Sequence, residues 1–122
     1  MIKKILAIDD DPINRQLMQI FLSDDFSCKV LSSAQQAIDE LESEPYDIVI
    51  TDINLGGAHD GIWLGKYIKA SATLKHIPVV AITAHVISYT SKDEIKDAFD
   101  SLVQKPIIKH KLVDQLKQIM GN

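Results

Sequence analysis

The sequence predicts an α/β fold: a parallel sheet of five strands with helices on both faces. Short runs rich in β-branched residues alternate with helical patterns along the 122 residues, which is the signature of βαβ units. The run Asp47 to Thr51 is apolar at consecutive positions, as a strand covered on both faces should be. Four of the runs also end in polar residues. Ile5-Leu6-Ala7-Ile8 leads into Asp9-Asp10, and Ile48-Val49-Ile50-Thr51 into Asp52. Val79-Val80-Ala81-Ile82 leads into Thr83, and Leu102-Val103-Gln104 into Lys105-Pro106. The carboxyl ends of parallel strands converge on one crevice. That crevice would hold three carboxylates, one hydroxyl and one ammonium, a site suited to a divalent cation and a phosphoryl group.

Each element has its own warrant. Strand one spans about Lys4 to Asp9. Asp11-Pro12 opens the first helix, since Asp is a good N-cap and Pro at the first helical position loses no needed N–H. Ile13, Leu17, Ile20 and Phe21 supply its apolar face. Strand two is Cys28 to Leu31. Ser32 or Ser33 caps a second helix that buries Ala34, Ala37, Ile38 and Leu41, and Pro45 prevents its continuation. Strand three is Asp47 to Thr51, followed by the turn-rich loop Asn54 to Gly61. Helix three runs from Ile62 to Ala70 with Leu64, Tyr67 and Ile68 inward, and strand four is Val79 to Thr83. Helix four, Ser91 to Phe99, has the thinnest pattern, with Ile95, Ala98 and Phe99 as its only support. Strand five is Leu102 to Gln104. Helix five, Ile108 to Met120, buries Leu112, Leu116, Ile119 and Val113. The expectation is one domain over residues 1–122, with no repeat or linker.

Composition narrows the function classes. The apolar content of 46% and charged content of 25% are those of an ordinary globular domain. A net charge of −4 argues against nucleic acid as a partner. A single cysteine excludes an internal disulfide and is compatible with a reducing compartment. The apolar run behind Lys3-Lys4 stops at Asp9, too short for a signal-peptide core, and no stretch approaches the ~20 apolar residues that span a bilayer. The expected location is the cytoplasm, away from membranes.

The chain resembles the receiver domain of two-component response regulators. The matching residues are Ile8-Asp9-Asp10, Thr51-Asp52, Asp60-Gly61, Val79 to Ala84 and Lys105-Pro106, in order and on the appropriate elements. The resemblance implies a doubly wound, flavodoxin-like sheet of order 2-1-3-4-5, the order of the chemotaxis regulator. It implies Mg²⁺ as the cofactor, with Asp10, Asp52 and the backbone carbonyl of Asn54 as direct ligands and Asp9 acting through water. It makes Asp52 the phosphoacceptor, and a carboxylate can indeed attack phosphorus to form an acyl phosphate. Asp9 and Asp10 could be mere turn residues, but Asp11 already serves as the cap, and adjacent like charges call for a cation between them. Mg²⁺ prefers such oxygen ligands. Thr83 stands where its hydroxyl can reach a phosphoryl oxygen, and Lys105 should pair with the phosphoryl oxygens, as in the family. Lys105 precedes Pro106, where a cis bond can aim a side chain inward.

The expected function is a stand-alone receiver that accepts a phosphoryl group from a histidine kinase or histidine phosphotransfer protein, dephosphorylates itself slowly and is not otherwise an enzyme. The partner surface for its unknown output protein, as in the family, is helix four, strand five and helix five. Two rivals remain: a pseudo-receiver that only binds, and a small aspartate-dependent phosphohydrolase reading its signature in Asp9-Asp10-Asp11. Three departures from the family stand out. Leu55-Gly56 replaces the usual Met-Pro, the loop to Asp60-Gly61 is one residue longer, and Leu102 occupies the place of the aromatic switch residue. The gain from burying an apolar side chain, roughly 1.5–3 kcal/mol, leads us to expect Leu102 inward in every state. The phosphorylation signal would then appear in the loop after Thr83 and in helix four. Cys28 should be a buried small hydrophobe, His59, His76 and His110 lack metal-ligand spacing, and His85 lies near the site mouth.

Overall fold

The computed structural model describes residues 2–84 and 92–121. Strands and helices alternate: β1 (Lys4–Ile8), α1 (Pro12–Leu22), β2 (Ser27–Leu31), α2 (Ala34–Ser43), β3 (Ile48–Asp52), α3 (Gly61–Ala70), β4 (Val79–Thr83), α4 (Lys92–Ala98), β5 (Ser101–Gln104) and α5 (Lys109–Met120). The sheet has the order β2-β1-β3-β4-β5, with every pairing parallel. This is the doubly wound order expected from the resemblance. Strand parity separates two cores. Leu6, Ile8, Val49 and Ala81 pack with residues of α2, α3 and α4, including Ile38, Leu64, Ile68 and Ile95, and with Phe99 just after α4. Ile5, Ala7, Ile48, Ile50, Val80 and Ile82 pack on the opposite face with Met18 and Leu22 of α1 and Leu112 and Leu116 of α5.

The helix starts follow their caps. Asp11 accepts from the Ile13 N–H with Pro12 in the first turn, Ser33 accepts from the Gln36 N–H, and Asp60 accepts from the Trp63 N–H. The expected inward residues of α2 are all buried, as are Leu112, Val113 and Leu116 of α5. Ile119 is partly buried against the same core.

Three side-chain expectations need correction. Ile13 and Ile20 of α1 are 66% and 63% exposed, Leu17 is 41% exposed, and the buried residues of the helix are Met18 and Leu22. Apolar residues cover more than half the circumference of α1, so periodicity alone cannot say which half faces the sheet. Tyr67 of α3 is exposed and directs its hydroxyl to Glu42 rather than into the core. Leu102 is 41% exposed, not inward. It lies on the edge strand β5, whose burial alternates, and Val103 is the residue packed against the core. The burial gain that argued for an inward Leu102 is therefore not realised here, and the ground for excluding it from a switching movement falls with it. Cys28 is half-buried, and burial pushes its thiol up to about 11, leaving it unreactive at neutral pH. His85, Ser91 and the loop after Ala84 lie outside the described residues.

Helix α4 is held to α3 by a close approach at Gly65. A Cβ on Gly65 would stand 2.4 Å from the Ala98 carbonyl oxygen and 2.9 Å from the Ala98 Cβ. Gly65→Ala should destabilise the fold by about 1–3 kcal/mol, because the two helices must separate to admit a methyl group. Urea unfolding measures this, and an unchanged midpoint would show that α4 yields at no cost.

Candidate functional site

The strand registers assemble the site stepwise. Ile8 of β1 pairs with Thr51 of β3, so Asp9 and Asp52, the next residues, stand level. Asp52 pairs with Ile82 of β4, which puts Thr83 one residue higher, and Thr83 pairs with Gln104 of β5, which puts Lys105 one higher again. The Lys105 N–H donates to the Thr83 carbonyl at 2.8 Å, extending the ladder past the end of β5. The Lys105–Pro106 bond is cis.

Asp9, Asp10 and Asp52 each offer a carboxylate oxygen, and these atoms lie within 4.8 Å of one another. Like charges this close are costly unless their oxygens are held and their charge is compensated. The structure holds each one. Asp9 Oδ1 accepts from the Asp11 N–H at 2.9 Å. Asp10 Oδ2 accepts from the Gly56 N–H at 2.9 Å. Asp52 is held at both oxygens: the Asn54 N–H donates to Oδ1 at 3.0 Å and Lys105 Nζ to Oδ2 at 2.9 Å. Asp9 and Asp52 are buried, whereas Asp10 opens to solvent. Arg15 does not point into the cluster; its guanidinium donates to the Asp9 carbonyl at 2.9 Å.

The donor set fits a hard divalent cation. All the side-chain ligand atoms are carboxylate oxygens, and Asp9 Oδ2 is fully enclosed with no hydrogen-bond partner among the described residues. A buried carboxylate oxygen without a donor is rare and costly, and a cation or its water shell would satisfy it. Burial holds the Asp9 carboxyl above the ordinary carboxylate range. The Asp11 amide opposes that rise, the charge of Asp52 adds to it, and Lys105 and Asp10 act in opposite senses more weakly. Partial burial pulls the Lys105 ammonium down, but its bond to Asp52 and the charges of Asp52, Asp9 and Asp11 outweigh this and hold it above the usual lysine value. Lys105 therefore stays cationic.

The expected residues Asp9, Asp10, Asp52 and Lys105 thus come together, with Thr83 half-buried at the adjoining strand end and Asn54 two residues past the end of β3. Two contributors were not visible as such in the sequence. Gly61 was legible only as part of a motif. A Cβ there would stand 2.2 Å from the Asp52 carbonyl oxygen, so α3 can begin against the end of β3 only at a glycine. The Gly56 amide had no signal beyond its departure from the usual Met-Pro. His59, which lacked metal-ligand spacing, stacks on Trp63 with ring centroids 3.7 Å apart.

A five-stranded sheet of this order with acidic residues and a lysine at its carboxyl edge defines a class of signalling domain, and comparison with known proteins agrees. The family described as response regulator receiver domain matches residues 5–117. The sensor histidine kinase GacS of Pseudomonas protegens is 30% identical over 123 aligned residues, which cover 97% of this chain and 13% of that protein. A putative NtrX-like response regulator of Rickettsia felis is 34% identical over 116 residues, covering 93% of this chain and 24% of the relative. The chain therefore spans only a small part of the curated relatives it matches. Among solved structures, the receiver domain of a sensor histidine kinase from Pseudomonas aeruginosa, with a magnesium ion coordinated in its active site cleft, superposes with a TM-score of 0.90 at 21% identity and full coverage of both chains. The chemotaxis response regulator CheY4 of Vibrio cholerae superposes with a TM-score of 0.87 at 22% identity, covering 98% of this chain and 99% of that one. The chain belongs to the response regulator receiver family. Among the described residues no helix is long and apolar enough to cross a membrane.

The raised Asp9 carboxyl has a consequence for stability. A carboxyl raised on folding binds more protons in the native chain than in the unfolded one between the two pKa values. Stability therefore falls as pH rises through that window, and the cost is fully present above it. In the presence of a chelator at pH 7, Asp9→Asn should raise the melting midpoint by a few degrees, since one like-charge contact at this range costs about 1 kcal/mol or more. A lowered midpoint would mean that the ionised Asp9 is a net stabiliser.

Proposed function

We propose that the chain is the phosphoacceptor module of a two-component phosphorelay, with Asp52 as the acceptor. The observation that carries this reading is the setting of Asp52. It is buried, held at both oxygens by a backbone amide and a lysine, and set beside two further carboxylates. Asp9 and Asp10 are less suited to attack. Asp9 is fully enclosed, its Oδ2 included, and Asp10 has no cationic partner among the described residues for the charge that arrives.

In this reading Asp9, Asp10, Asp52 and the Asn54 carbonyl hold Mg²⁺, Asp9 through water. The cation supplies charge neutralisation between the carboxylates and the incoming phosphoryl oxygens. An Asp52 oxygen attacks the phosphorus of a phosphohistidine. A P–O bond forms to the carboxylate, the P–N bond breaks, and the imidazole leaves with a proton from solvent. The product is an acyl phosphate on Asp52 and a free histidine on the donor. Lys105 moves its charge from the Asp52 oxygen to the phosphoryl oxygens, and the Thr83 hydroxyl donates to one of them. Turnover is limited to slow self-hydrolysis, so the module stores one phosphoryl group rather than catalysing many transfers.

The donor is a histidine kinase or a histidine phosphotransfer protein. The exposed stripe Ile13, Leu17 and Ile20 supports a protein donor. Leu17 and Phe21 line a hollow with Lys105, Pro106 and Ile107, so apolar surface adjoins the lysine of the site. Output passes by protein contact through α4, β5 and α5, where Leu102, Ile108, Lys111 and Gln115 border a second open hollow. Neither step involves nucleic acid, and the module works in the cytoplasm.

Treatment with acetyl phosphate and Mg²⁺ followed by intact-mass measurement tests the reading. Wild type should gain one phosphoryl group, and Asp52→Asn, nearly isosteric, should fold and gain none. Label retained on the mutant would place the acceptor elsewhere, and an unlabelled wild type would make the chain a binding module only. Mg²⁺ at ~10 times its Kd should stabilise wild type by roughly 1.4 kcal/mol in thermal melts, and Asp10→Ala should lose that response.

A further inference from the structure

The loop after the acceptor strand supplies a donor to the cation site. Ile53 and Leu55 are buried in the core beneath α2 and α3, which pins the chain between Asp52 and Gly56. From that fixed backbone the Gly56 N–H reaches Asp10 Oδ2 at 2.9 Å, across 46 residues of sequence. The approach is tight: a Cβ on residue 56 would stand 3.2 Å from the same oxygen. Gly57, at φ 91°, then turns the chain away, and a Cβ there would meet nothing within 4 Å. Asp10 is the exposed member of the three carboxylates, and this is the hydrogen bond that orients its side chain among the described residues.

We propose that the Gly56 amide is a positioning group for the divalent-cation site, fixing the Asp10 carboxylate beside those of Asp9 and Asp52. Two properties of residue 56 serve this: an N–H to donate and no side chain to crowd the oxygen. Proline, which the resemblance leads one to expect at this place, has no N–H, so the bond to Asp10 depends on the glycine that this chain carries there. The inference rests on the proposed Mg²⁺ reading of the site and adds to it a dependence of affinity on residue 56.

Calorimetric titration of the full chain with MgCl₂ tests it, alongside thermal melts in chelator. Gly56→Pro should weaken Mg²⁺ binding roughly 10-fold or more, the range typical when a metal-ligand side chain loses its orienting partner. The melting midpoint in chelator should change little. Gly57→Asn, which alters the same loop at a left-handed position without touching the Asp10 bond, should bind Mg²⁺ as wild type does. A folded Gly56→Pro with wild-type affinity overturns the inference while leaving the cation site standing. A wild-type chain that binds no Mg²⁺ overturns the cation reading itself, and the inference with it. Amide hydrogen exchange on the metal-free wild type decides the matter even if Gly56→Pro does not fold. The Gly56 N–H should be protected in wild type and exchange at least several-fold faster in Asp10→Ala, and an unprotected Gly56 amide in wild type contradicts the proposal.

Discussion

Three carboxylates held within 4.8 Å of one another are the constraint around which the carboxyl edge of the sheet is built. Their repulsion would scatter exposed side chains, but here the backbone removes that freedom. Parallel register sets Asp9 level with Asp52, and the fixed amides of Asp11, Asn54 and Gly56 each take one carboxylate oxygen. Lys105 adds the single positive charge in direct contact with the cluster among the described residues. The balance remains unfavourable at Asp9, whose enclosed Oδ2 has no donor and whose carboxyl is raised by burial. Such a site holds a deficit of positive charge that a cation and a phosphoryl-transfer reaction can use together.

The two cores explain how this edge stays in place while leaving room for movement. Strands β1, β3 and β4 are buried on both faces, so the residues that follow them inherit rigid positions. Helix α4 is short, with seven residues, and β5 is an edge strand with alternating burial. The β1, β3 and β4 side of the site is thus rigid, and the surface leading away from it rests on fewer buried side chains. That division suits the proposed module, which would hold a reactive carboxylate still while presenting a changeable face to another protein.

Much of this was legible in the sequence because it depends on local rules. Alternating β-branched runs and helical patterns, the Asp11-Pro12 cap, and polar residues at four strand ends place the elements and the site. What the sequence hides are choices between equivalent faces. α1 carries apolar residues on both Ile13-Leu17-Ile20 and Met18-Leu22, and contact with the sheet selects the second set. Leu102 is apolar enough to be buried, but its parity on the edge strand turns it outward. The Gly56 amide is a backbone group, and its bond to Asp10 spans 46 residues, so no side-chain pattern announces it. Its one trace is the replacement of Met-Pro by Leu55-Gly56.

The central claim is that Asp52, Lys105 and the two neighbouring aspartates act as one phosphoryl-accepting unit. A crystal structure of the chain with Mg²⁺ and beryllofluoride tests it most directly. The account predicts the beryllium bonded to an Asp52 oxygen, one cation held by Asp10, Asp52 and the Asn54 carbonyl, and Lys105 Nζ moved from Asp52 Oδ2 onto a fluorine. Beryllofluoride bound elsewhere, or Lys105 still paired with Asp52 while the fluorines face solvent, would contradict it.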